Sequence, residues 1–402
     1  MLVIKGKVST AICYATVVEE EAIEQIRRMC DHDFTSGSKI RIMPDVHAGK
    51  GCTIGTTMTI VDKVVPNIVG VDIGCGMYTV ELGKIEIDCE GVDKVAHFIP
   101  SGRNVWDSRI EYFDLTDFRC YQNLKQTERL ERSLGTLGGG NHFIEISAAS
   151  DGTKYLVVHS GSRNLGNQVA EYYQRLAIDL NSGKADFYEQ KDELIRNYKE
   201  QGRRKELQAA LKAIEKKWKT EKPIIPPDLC YLYGSYMDDY LYDVKLCQKF
   251  AKRSREKMAE LILDHTGMSN LSAFHTIHNY INTDEMILRK GAIAAHKDQL
   301  VLIPINMRDG SILGKGRGNP DWNYSAPHGA GRIMSRTMAK KILDIETYRE
   351  AMAGIYTTSV NKTTLDEAPM AYKAMDYIID DIHESVDIID ILKPIYNFKA
   401  AD

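Results

Sequence analysis

The chain has 402 residues, 43% of them apolar, and a formal net charge of −4 at pH 7, so it is long enough to bury a large core as one domain or as two. The charge excludes recognition of nucleic acid by an overall basic field, so an RNA partner would need a local basic patch. No stretch approaches the roughly 20 apolar residues of a membrane span, and the N-terminus lacks the features of a signal peptide. Eight scattered cysteines without CxxC pairs add to the expectation of a cytoplasmic protein with reduced thiols and no membrane partner.

The first hundred residues predict a mixture of helices and strands. Residues 20–30 (EEAIEQIRRMC) have helical periodicity, whereas residues 53–64 and 67–72 are rich in β-branched side chains and predict strands. The second predicted strand runs into Gly74 and Gly76. Cys75 is therefore expected at the end of a strand, on a glycine turn.

A hairpin is predicted further along the chain. Residues 143–146 and 155–158 are short apolar runs separated by the polar segment SAASDGTK, as in neighbouring antiparallel strands. His142 would begin one strand and His159 would end the other, so both would lie at the same edge of the sheet. Taken alone, either histidine is more typical of a hydrogen-bonded buried imidazole than of a metal ligand.

Residues 187–222 form a charged, helix-favouring segment. Leu207, Leu211, Ile214 and Trp218 follow a helical spacing, and the segment carries seven Arg and Lys residues between 203 and 219. An RNA-binding arm is one interpretation; a solvated helical excursion is favoured, because charge runs are usually solvated faces. A Tyr-rich loop and a long helix follow without an evident linker. We therefore expect an α+β fold in which residues 1–402 form a single domain, with residues 187–222 as a basic helical insertion.

Metal-ligand side chains recur beside glycines. Asp72 and Cys75 are three residues apart in VGVDIGCG, so both can converge on one point, and a thiolate there can bridge two ions. Alone, a glycine-bounded cysteine is as often a small buried residue. His142, His159 and His278 supply enough further donors for two ions, and the mixed S, N and O set suits Mn, Zn, Fe or Co. His275 remains an alternative to His278.

His328 in SAPHGAGR suggests phosphate chemistry. The flanking glycines allow backbone N–H groups to approach a phosphate, the following RIMSRTMAKKIL predicts a helix whose N-terminus favours anions, and Arg332 can bind phosphate in a bidentate manner. An imidazole in this position can attack phosphorus and form a covalent intermediate. A histidine that only hydrogen-bonds a phosphate fits the residues equally well.

Nine motifs between residues 44 and 373, in this order, resemble the RtcB family of RNA-splicing ligases. The resemblance implies an RtcB-type fold, with central β-sheets flanked by helices, and a single RtcB-like catalytic domain. It also implies a ligase that uses GTP and two Mn²⁺ ions. The motifs are PDVHAGKG, VGVDIGCGM, LGTLGGGNHFIE, HSGSR, HNY, RKGA, SAPHGAGR, MSR and DEAPMAYK.

The resemblance also implies a role for each matching residue. Cys75 would bridge two Mn²⁺ ions, with Asp72 and His142 on one and His159 and His278 on the other. His328 would be the guanylylated nucleophile and Asp45 would orient its ring; His278, followed by Asn279, is preferred to His275 on this ground alone. Arg163 would meet an RNA phosphate. Nucleotide contacts would come from Asn141, Glu145, Asn279, Ser311, Gly329, Ala330, Gly331, Arg332 and Lys373.

The implied reaction joins RNA with a 3′-phosphate or 2′,3′-cyclic phosphate to RNA with a 5′-hydroxyl, in tRNA splicing or RNA repair. Metal-activated water would open the cyclic phosphate, His328 would take GMP from GTP, and GMP would pass to the RNA 3′-phosphate before the 5′-hydroxyl displaces it. No DNA partner is expected. The physiological RNA and the need for an activating protein stay open.

One segment departs from the family pattern. Members of the family carry Pro-Gly-Ser-Met-Gly where this chain has Pro304, Ile305, Asn306, Met307 and Arg308, and HSGSRN has Asn164 where Gly is usual. Ile and Arg change the shape and charge of a nucleotide-facing wall, and Arg308 is a candidate for an added phosphate contact. We therefore expect a divergent branch devoted to RNA repair, with its metal ligands and His328 intact.

Two other classes of function stay open on the sequence. A metal-dependent cyclic phosphodiesterase or 3′-end processing enzyme would keep the metal ligands and stop at hydrolysis. A non-catalytic RNA-end binder would need neither turnover nor a complete dinuclear site. A ligation assay with and without GTP separates these alternatives from the ligase.

Overall fold

The computed structural model describes residues 1–182, 184–200, 204–221 and 225–400. Its strands are β1 Leu2–Lys5, β2 Thr10–Cys13, β3 Ile40–His47, β4 Ile54–Thr59, β5 Lys63–Val64, β6 Gly76–Gly83, β7 Phe143–Ala148, β8 Lys154–Ser160, β9 Leu232–Tyr233, β10 Ser272–Ile277, β11 Asn279–Asn282, β12 Ile287–Lys290, β13 Ala292–Ala294, β14 Leu300–Asn306, β15 Gly310–Gly316, β16 Ser325–Pro327 and β17 Val386–Lys399. Its α-helices are α1 Glu20–Cys30, α2 Pro66–Val69, α3 Cys89–Phe98, α4 Thr127–Glu131, α5 Arg163–Asn181, α6 Lys184–Glu200, α7 Arg204–Glu221, α8 Gly234–Thr266, α9 Arg336–Ile342, α10 Ile345–Ala351 and α11 Met375–Asp381.

Two larger β-sheets organise the chain. One has the order β1-β2-β3-β4-β12-β11, in which only β2 and β3 are parallel, and the other has the order β10-β6-β8-β7-β17-β15-β14 with antiparallel neighbours throughout. Shorter pairs join β13 to β16 and β5 to β9. The helix α8 packs against β6 and β8 of the seven-stranded sheet. The predicted α+β class, with sheets flanked by helices, is confirmed.

The predicted hairpin is present as β7 and β8. Phe143 pairs with His159 and Ala148 pairs with Lys154, so the two strands have antiparallel register over their whole length. Ile144, Ile146, Leu156 and Val158 point into one buried apolar cluster, as side chains of the same face do in a strand of period two. Because Phe143 pairs with His159, the register places His142 and His159 at the same end of the two strands.

The charged segment forms two helices. Helices α6 and α7 contact each other, and α6 contacts α5. Leu207, Leu211 and Ile214 on α7 are partly buried, whereas Lys212 is exposed, as expected of an amphipathic helix. Residues 201–203 and 222 of the predicted segment lie outside the described residues. The single domain with an insertion at residues 187–222 stays a prediction.

Two predicted elements were wrong in type or extent. Residues 67–72 do not form a strand, because the chain turns into the short helix α2 with Pro66 in its first turn and then leaves it at Gly70, whose φ is 98°; proline favours the first helical turn. The helix expected directly after Arg332 begins only at Arg336, where Ser335 caps it by accepting from the N–H of Met338. Helix α1 matches its predicted bounds of 20–30.

Within the described residues, no helix is both long enough and apolar enough to span a bilayer.

Candidate metal and nucleotide site

Five predicted ligands converge at one end of the neighbouring strands β6, β8 and β7. The Cys75 Sγ lies 3.4 Å from the Nε2 atoms of both His142 and His159. His159 Nε2 lies 3.4 Å from His278 Nε2, and His142 Nε2 lies 3.1 Å from Asp72 Oδ2. Ligands about 2.0–2.3 Å from one ion lie roughly 3–4 Å from each other. We call Asp72, Cys75, His142, His159 and His278 the ligand row.

Strand register brings these ligands together. Gly76, next to Cys75, pairs with Ser160 on one side and with Ile277 on the other, so the residues adjoining Cys75, His159 and His278 are neighbours across three strands. Cys75 thus precedes β6 instead of ending a strand. A Cβ on Gly161 would overlap the Asp72 carboxylate. The glycine of HSGSR is therefore required for close approach of the loop to a ligand.

Main-chain contacts orient the imidazoles. The Nδ1 atoms of His142 and His159 lie 2.9 Å and 3.1 Å from the carbonyl oxygens of Leu137 and Asn141. A carbonyl only accepts, so each Nδ1 carries a proton and donates, and each Nε2 is the ring nitrogen turned toward Cys75. Asp72 Oδ1 accepts from the N–H of Ser162 at 3.0 Å. Orientation of this kind is typical of metal-binding histidines.

Burial and neighbouring charges shift the pKa values of four members of the ligand row. Burial and the neighbouring histidines hold the pKa of His159 and of His278 well below the usual range. Burial and the charge of Asp72 raise the pKa of the Cys75 thiol. Burial opposes ionisation of Asp72 too, but the hydrogen bond and charge of His142 outweigh it and lower its pKa. A divalent cation would favour the ionised thiol and the free lone pairs together, so the donor set fits a metal ion.

His328 lies at one end of the ligand row. Its ring centroid is 4.8 Å from that of His278. Its Nδ1 donates to Asp45 Oδ2 at 2.6 Å, and its backbone N–H donates to the same oxygen at 3.1 Å. Asp45 is fully buried on β3. In the neutral ring this carboxylate keeps the proton on Nδ1, so that Nε2 is the nitrogen with the lone pair that can act as a nucleophile.

A cavity of about 310 Å³ connects His328 with the ligand row, a volume within the range of small-molecule sites. Four predicted site residues do not line it: Asp45, His142, Arg163 and Lys373. The predicted residues that line it are Asp72, Cys75, Asn141, Glu145, His159, His278, Asn279, Ser311, His328, Gly329, Ala330, Gly331 and Arg332.

Glu145 is a buried carboxylate in this cavity. Ser147 Oγ donates to its Oε1 at 2.6 Å and Asn397 Nδ2 donates to its Oε2 at 2.7 Å. Burial raises the pKa of Glu145 to about 7, against the effect of these hydrogen bonds and of Lys399. Its charge is therefore sensitive to pH near neutrality.

Arg332 has local partners. Its Nη2 donates to Asp366 O at 2.6 Å, and its Nη1 lies 3.3 Å from Glu367 Oε1 and 3.2 Å from Tyr372 OH. Arg336 and Lys399 also pair with Glu367, at 2.8 Å and 2.6 Å. Lys340 pairs with Asp366 at 3.3 Å. We call Arg332, Arg336, Lys340 and Lys399, with the two carboxylates, the cation cluster.

Five polar residues that line the cavity were not predicted from the sequence: His47, Arg336, Tyr372, Asn397 and Lys399. Lys399 is 7% exposed and follows the apolar alternation of YNFK on β17. Because the polar positions of an alternating strand usually face solvent, this pattern does not indicate that Lys399 is buried. Lys373, which was predicted instead, directs its Nζ to Val46 O at 3.4 Å.

The divergent segment forms the turn between β14 and β15. Asn306 Oδ1 accepts from the N–H groups of Arg308 and Asp309, at 3.0 Å and 2.9 Å. The Arg308 guanidinium pairs with Asp309 at 2.8 Å and does not line the cavity, whereas Ile305 and Met307 do. The departure therefore adds the branched apolar side chain of Ile305 where the family has Gly, keeps a polar residue at Asn306, and adds no free cation to the site.

A second cleft adjoins Asp72. It has a volume of about 580 Å³ and is lined among others by Arg103, Arg129, Arg163, Asn164 and Gln168. Arg163 donates to Gly102 O at 2.6 Å and to Thr136 Oγ1 at 3.1 Å. Arg103 and Arg129 are exposed and form no ion pair with a carboxylate in the described part of the chain.

Comparisons with known proteins agree with this arrangement. The family model described as tRNA-splicing ligase RtcB matches residues 25–114 and 113–400. The chain is 30% identical to the RNA-splicing ligase RtcB of Escherichia coli K12, over 95% of both chains. It is 25% identical to the tRNA-splicing ligase RtcB of Aeropyrum pernix, over 85% of this chain and 83% of the relative. The resemblance of the motifs is confirmed: the chain belongs to the RtcB family.

Proposed function

We propose that this protein is a GTP-dependent RNA ligase that joins 3′-phosphate or 2′,3′-cyclic phosphate ends to 5′-hydroxyl ends through a GMP-histidine intermediate. The observation that carries the proposal is the pairing of His328 Nδ1 with the buried Asp45 at 2.6 Å, beside His278 of the ligand row. In the neutral ring this contact keeps the proton on Nδ1 and the lone pair on Nε2, and the candidate metal ligands line the same cavity. Family membership supports RNA ligation as the reaction class.

The ligand row would hold two Mn²⁺ ions. Cys75 would be shared, because its Sγ is 3.4 Å from the Nε2 atoms of both His142 and His159. Asp72 would complete one set with His142, and His278 would complete the other with His159. Bound there, divalent ions supply Lewis-acid stabilisation of phosphate oxygens.

His328 would act as the nucleophile. Its Nε2 forms a bond to the α-phosphorus of GTP while the bond to pyrophosphate breaks, and Asp45 stabilises the imidazolium through the Nδ1 proton. GMP then leaves Nε2 for an oxygen of the RNA 3′-phosphate. Finally the RNA 5′-hydroxyl attacks that phosphorus and GMP departs, which completes a phosphodiester. A cyclic phosphate is first opened by water.

The cavity walls suit a guanine nucleotide. A carboxylate accepts two parallel hydrogen bonds from the N1–H and the amino group of guanine, and ionised Glu145 is such an acceptor. Asn141, Asn279, Ser311 and the segment Gly329–Gly331 line the same cavity and would hold the ribose and phosphates. Arg332 would add positive charge from within the cation cluster. Lys373 does not line the cavity, but its backbone N–H donates to Gly331 O at 3.1 Å, and its nucleotide contact stays a prediction.

RNA would enter through the cleft beside Asp72. The ring contacts run from His328 through His278, His159 and His142, with Asp72 at the far end. In-line displacement places the attacking hydroxyl opposite the leaving GMP, so the 5′-hydroxyl strand would approach from the Asp72 side. Arg163 and its neighbours Arg103 and Arg129 supply positive charge there for RNA phosphates.

Labelling with GTP tests the core of the proposal. Protein incubated with Mn²⁺ and GTP labelled at the α-phosphate should acquire acid-labile label, and His328→Ala should acquire none. Asp45→Asn keeps the shape but loses the anion, and we expect labelling about 10²–10⁴-fold slower. His296→Ala, a partly exposed histidine paired with Glu285, is the matched control and should label normally. Label that persists in His328→Ala would refute the histidine as nucleophile.

A sealing assay separates ligation from the alternatives. RNA with 2′,3′-cyclic phosphate and 5′-hydroxyl ends should be joined only when GTP and Mn²⁺ are present. Opened but unsealed ends, unaffected by GTP, would identify an end-processing enzyme. Tight binding of both ends without turnover would identify a non-catalytic binder.

A further inference from the structure

The long helix α8 forms the floor under the ligand row. Gly74, which precedes Cys75, has a φ of 78°, and a Cβ there would lie 2.9 Å from Gln248 Cα and 3.1 Å from Ala251 Cβ. The Gln248 Oε1 accepts from the N–H of Ile281 at 3.0 Å, and Gly74 N–H donates to Asn279 O at 2.6 Å. One face of α8 therefore supports both the segment of Cys75 and the segment of His278.

Arg255 lies one turn beyond Ala251 on this face. Its side chain is fully buried, and its Nη1 donates to Gly74 O at 2.7 Å and to Ser160 O at 2.8 Å. Gly74 adjoins Cys75, and Ser160 adjoins His159. A single guanidinium nitrogen thus ties together two segments that carry neighbouring metal ligands.

The charge of Arg255 has no direct counterpart. Its Nε and Nη2 have no hydrogen-bond partner, and it forms no ion pair, among the described residues. Burial lowers its pKa to about 10, while the charges of Cys75 and Asp72, and then Glu256, oppose the shift. Glu256 is itself engaged with His275 at 3.1 Å. Since a buried cation needs compensation, its direct partners are the carbonyl oxygens of Gly74 and Ser160.

We propose that Arg255 is a positioning residue for the metal site. It sets the separation between Cys75 and His159 through the two carbonyl oxygens, Gly74 O and Ser160 O, to which its Nη1 donates. The inference rests on the metal site proposed above. Groups that orient ligands in this way commonly change metal affinity about 10–100-fold when removed.

Three variants test the role. Arg255→Met removes the charge and the donors at similar length, Arg255→Lys restores the charge and one donor group, and Arg253→Met is the matched control on the same helix. Arg253 pairs with Glu111 and Glu260 near the surface, away from the ligand row. Each protein is stripped of metal and titrated with Mn²⁺ by competition and with Co²⁺ by the absorption of the cobalt–thiolate bond, and the Tm of the metal-free protein is recorded.

We expect Arg255→Met to bind Mn²⁺ about 10–100-fold more weakly, with a shifted or weakened cobalt–thiolate band, and Arg255→Lys to recover part of both. Arg253→Met should match the wild type. Wild-type metal affinity in a folded Arg255→Met would overturn the proposal, whatever its Tm. If Arg255→Met does not fold, weaker binding by a folded Arg255→Lys supports the proposal and unchanged binding overturns it. A wild-type protein that binds neither ion would overturn the metal site itself, and with it this role.

Discussion

The ligand row and the cation cluster border the same cavity, but their charges are balanced in opposite ways. In the ligand row, a thiol, three imidazoles and one carboxylate crowd within hydrogen-bond distance of each other. In the cation cluster, Asp366 and Glu367 are shared by four cations. The ligand row thus contains several electron-pair donors and no cationic side chain. The cation cluster contains four cations and two carboxylates.

This difference in charge suggests how a nucleotide would be oriented in the cavity, with its phosphates near His328. A nucleoside triphosphate is polyanionic, and phosphoryl transfer needs positive charge on both sides of the reacting phosphorus. His328 lies between the two regions, 4.8 Å from His278 by ring centroid and in the same segment as Arg332. Crowded donors without a compensating positive charge are what a cation site needs, whereas in the cation cluster the two carboxylates fix the positions of four cations that would face an anion.

The largest effect is expected in the ligand row. Cys75→Ala should weaken Mn²⁺ binding by more than about 1,000-fold, because Cys75 Sγ lies 3.4 Å from the Nε2 atoms of both His142 and His159 and would be shared by the two ions. Added Mn²⁺ should raise the Tm of the wild type and leave that of the variant almost unchanged. Cys230→Ala, at another buried free cysteine, should retain the metal-dependent shift. An equal Mn²⁺ shift in Cys75→Ala would break the comparison.

In the cation cluster, pH should change the free energy of unfolding through Glu367 and should leave metal affinity unchanged. Burial opposes ionisation of Glu367, but the charges of Lys399 and Arg336 outweigh it and hold the pKa of Glu367 at about 2, below its value in the unfolded chain. This contribution is therefore present above pH 4.5 and is lost as pH falls toward 2, and it is on the order of 3 kcal/mol.

Unfolding of Glu367→Gln measures this contribution. The variant should be less stable than the wild type at pH 7, and the gap should close as the pH falls below 4.5. Glu346→Gln removes an exposed pair with Arg349 and should change stability by less than about 0.5 kcal/mol. A gap that stays constant down to pH 3 would show that Glu367 is not ionised by its cations.

A smaller effect is expected at Glu145, between the two regions. Its pKa is raised to about 7 by burial, so the carboxylate that would accept guanine is mostly protonated at pH 6 and mostly ionised at pH 8. GMP affinity should rise about tenfold over this interval. Glu145→Gln should lose this rise and bind more weakly at pH 8, while AMP, which lacks the matching donors, serves as the control ligand. The same pH profile in the variant would remove Glu145 from recognition of the base.

The smallest effect is expected at Arg308. Its guanidinium pairs with the adjacent Asp309 and is 47% exposed, so it resembles a compensated surface charge. Arg308→Ala should change GTP affinity less than twofold and stability by less than about 0.5 kcal/mol. Met307→Ala, by contrast, opens a buried wall residue and should cost about 2–4 kcal/mol. A tenfold loss of GTP affinity in Arg308→Ala would restore the predicted phosphate contact.

Part of the ligand row could be predicted from the sequence, because the relative position of His142 and His159 depends on a local hairpin. The apolar runs on either side of SAASDGTK predict a hairpin, and an antiparallel hairpin places His142 and His159 at one edge whatever surrounds it. The motifs in order were sufficient for the family. Residues 67–72 were misjudged because β-branched composition was outweighed by Pro66 at the start of a helical turn.

The tertiary structure decided the partners of each charge. The sequence of SAPHGAGR predicts that Arg332 binds phosphate, but only the fold brings Asp366 and Glu367 to it from more than 30 residues away. Lys399 and Arg255 carry no motif; their burial beside the cavity and under the ligand row results from strand pairing and helix packing over long range. The sequence by itself thus determined which side chains are able to bind metal and attack phosphorus. Which charges are compensated depends on distances between remote segments, and those distances exist only after the sheets and α8 have packed.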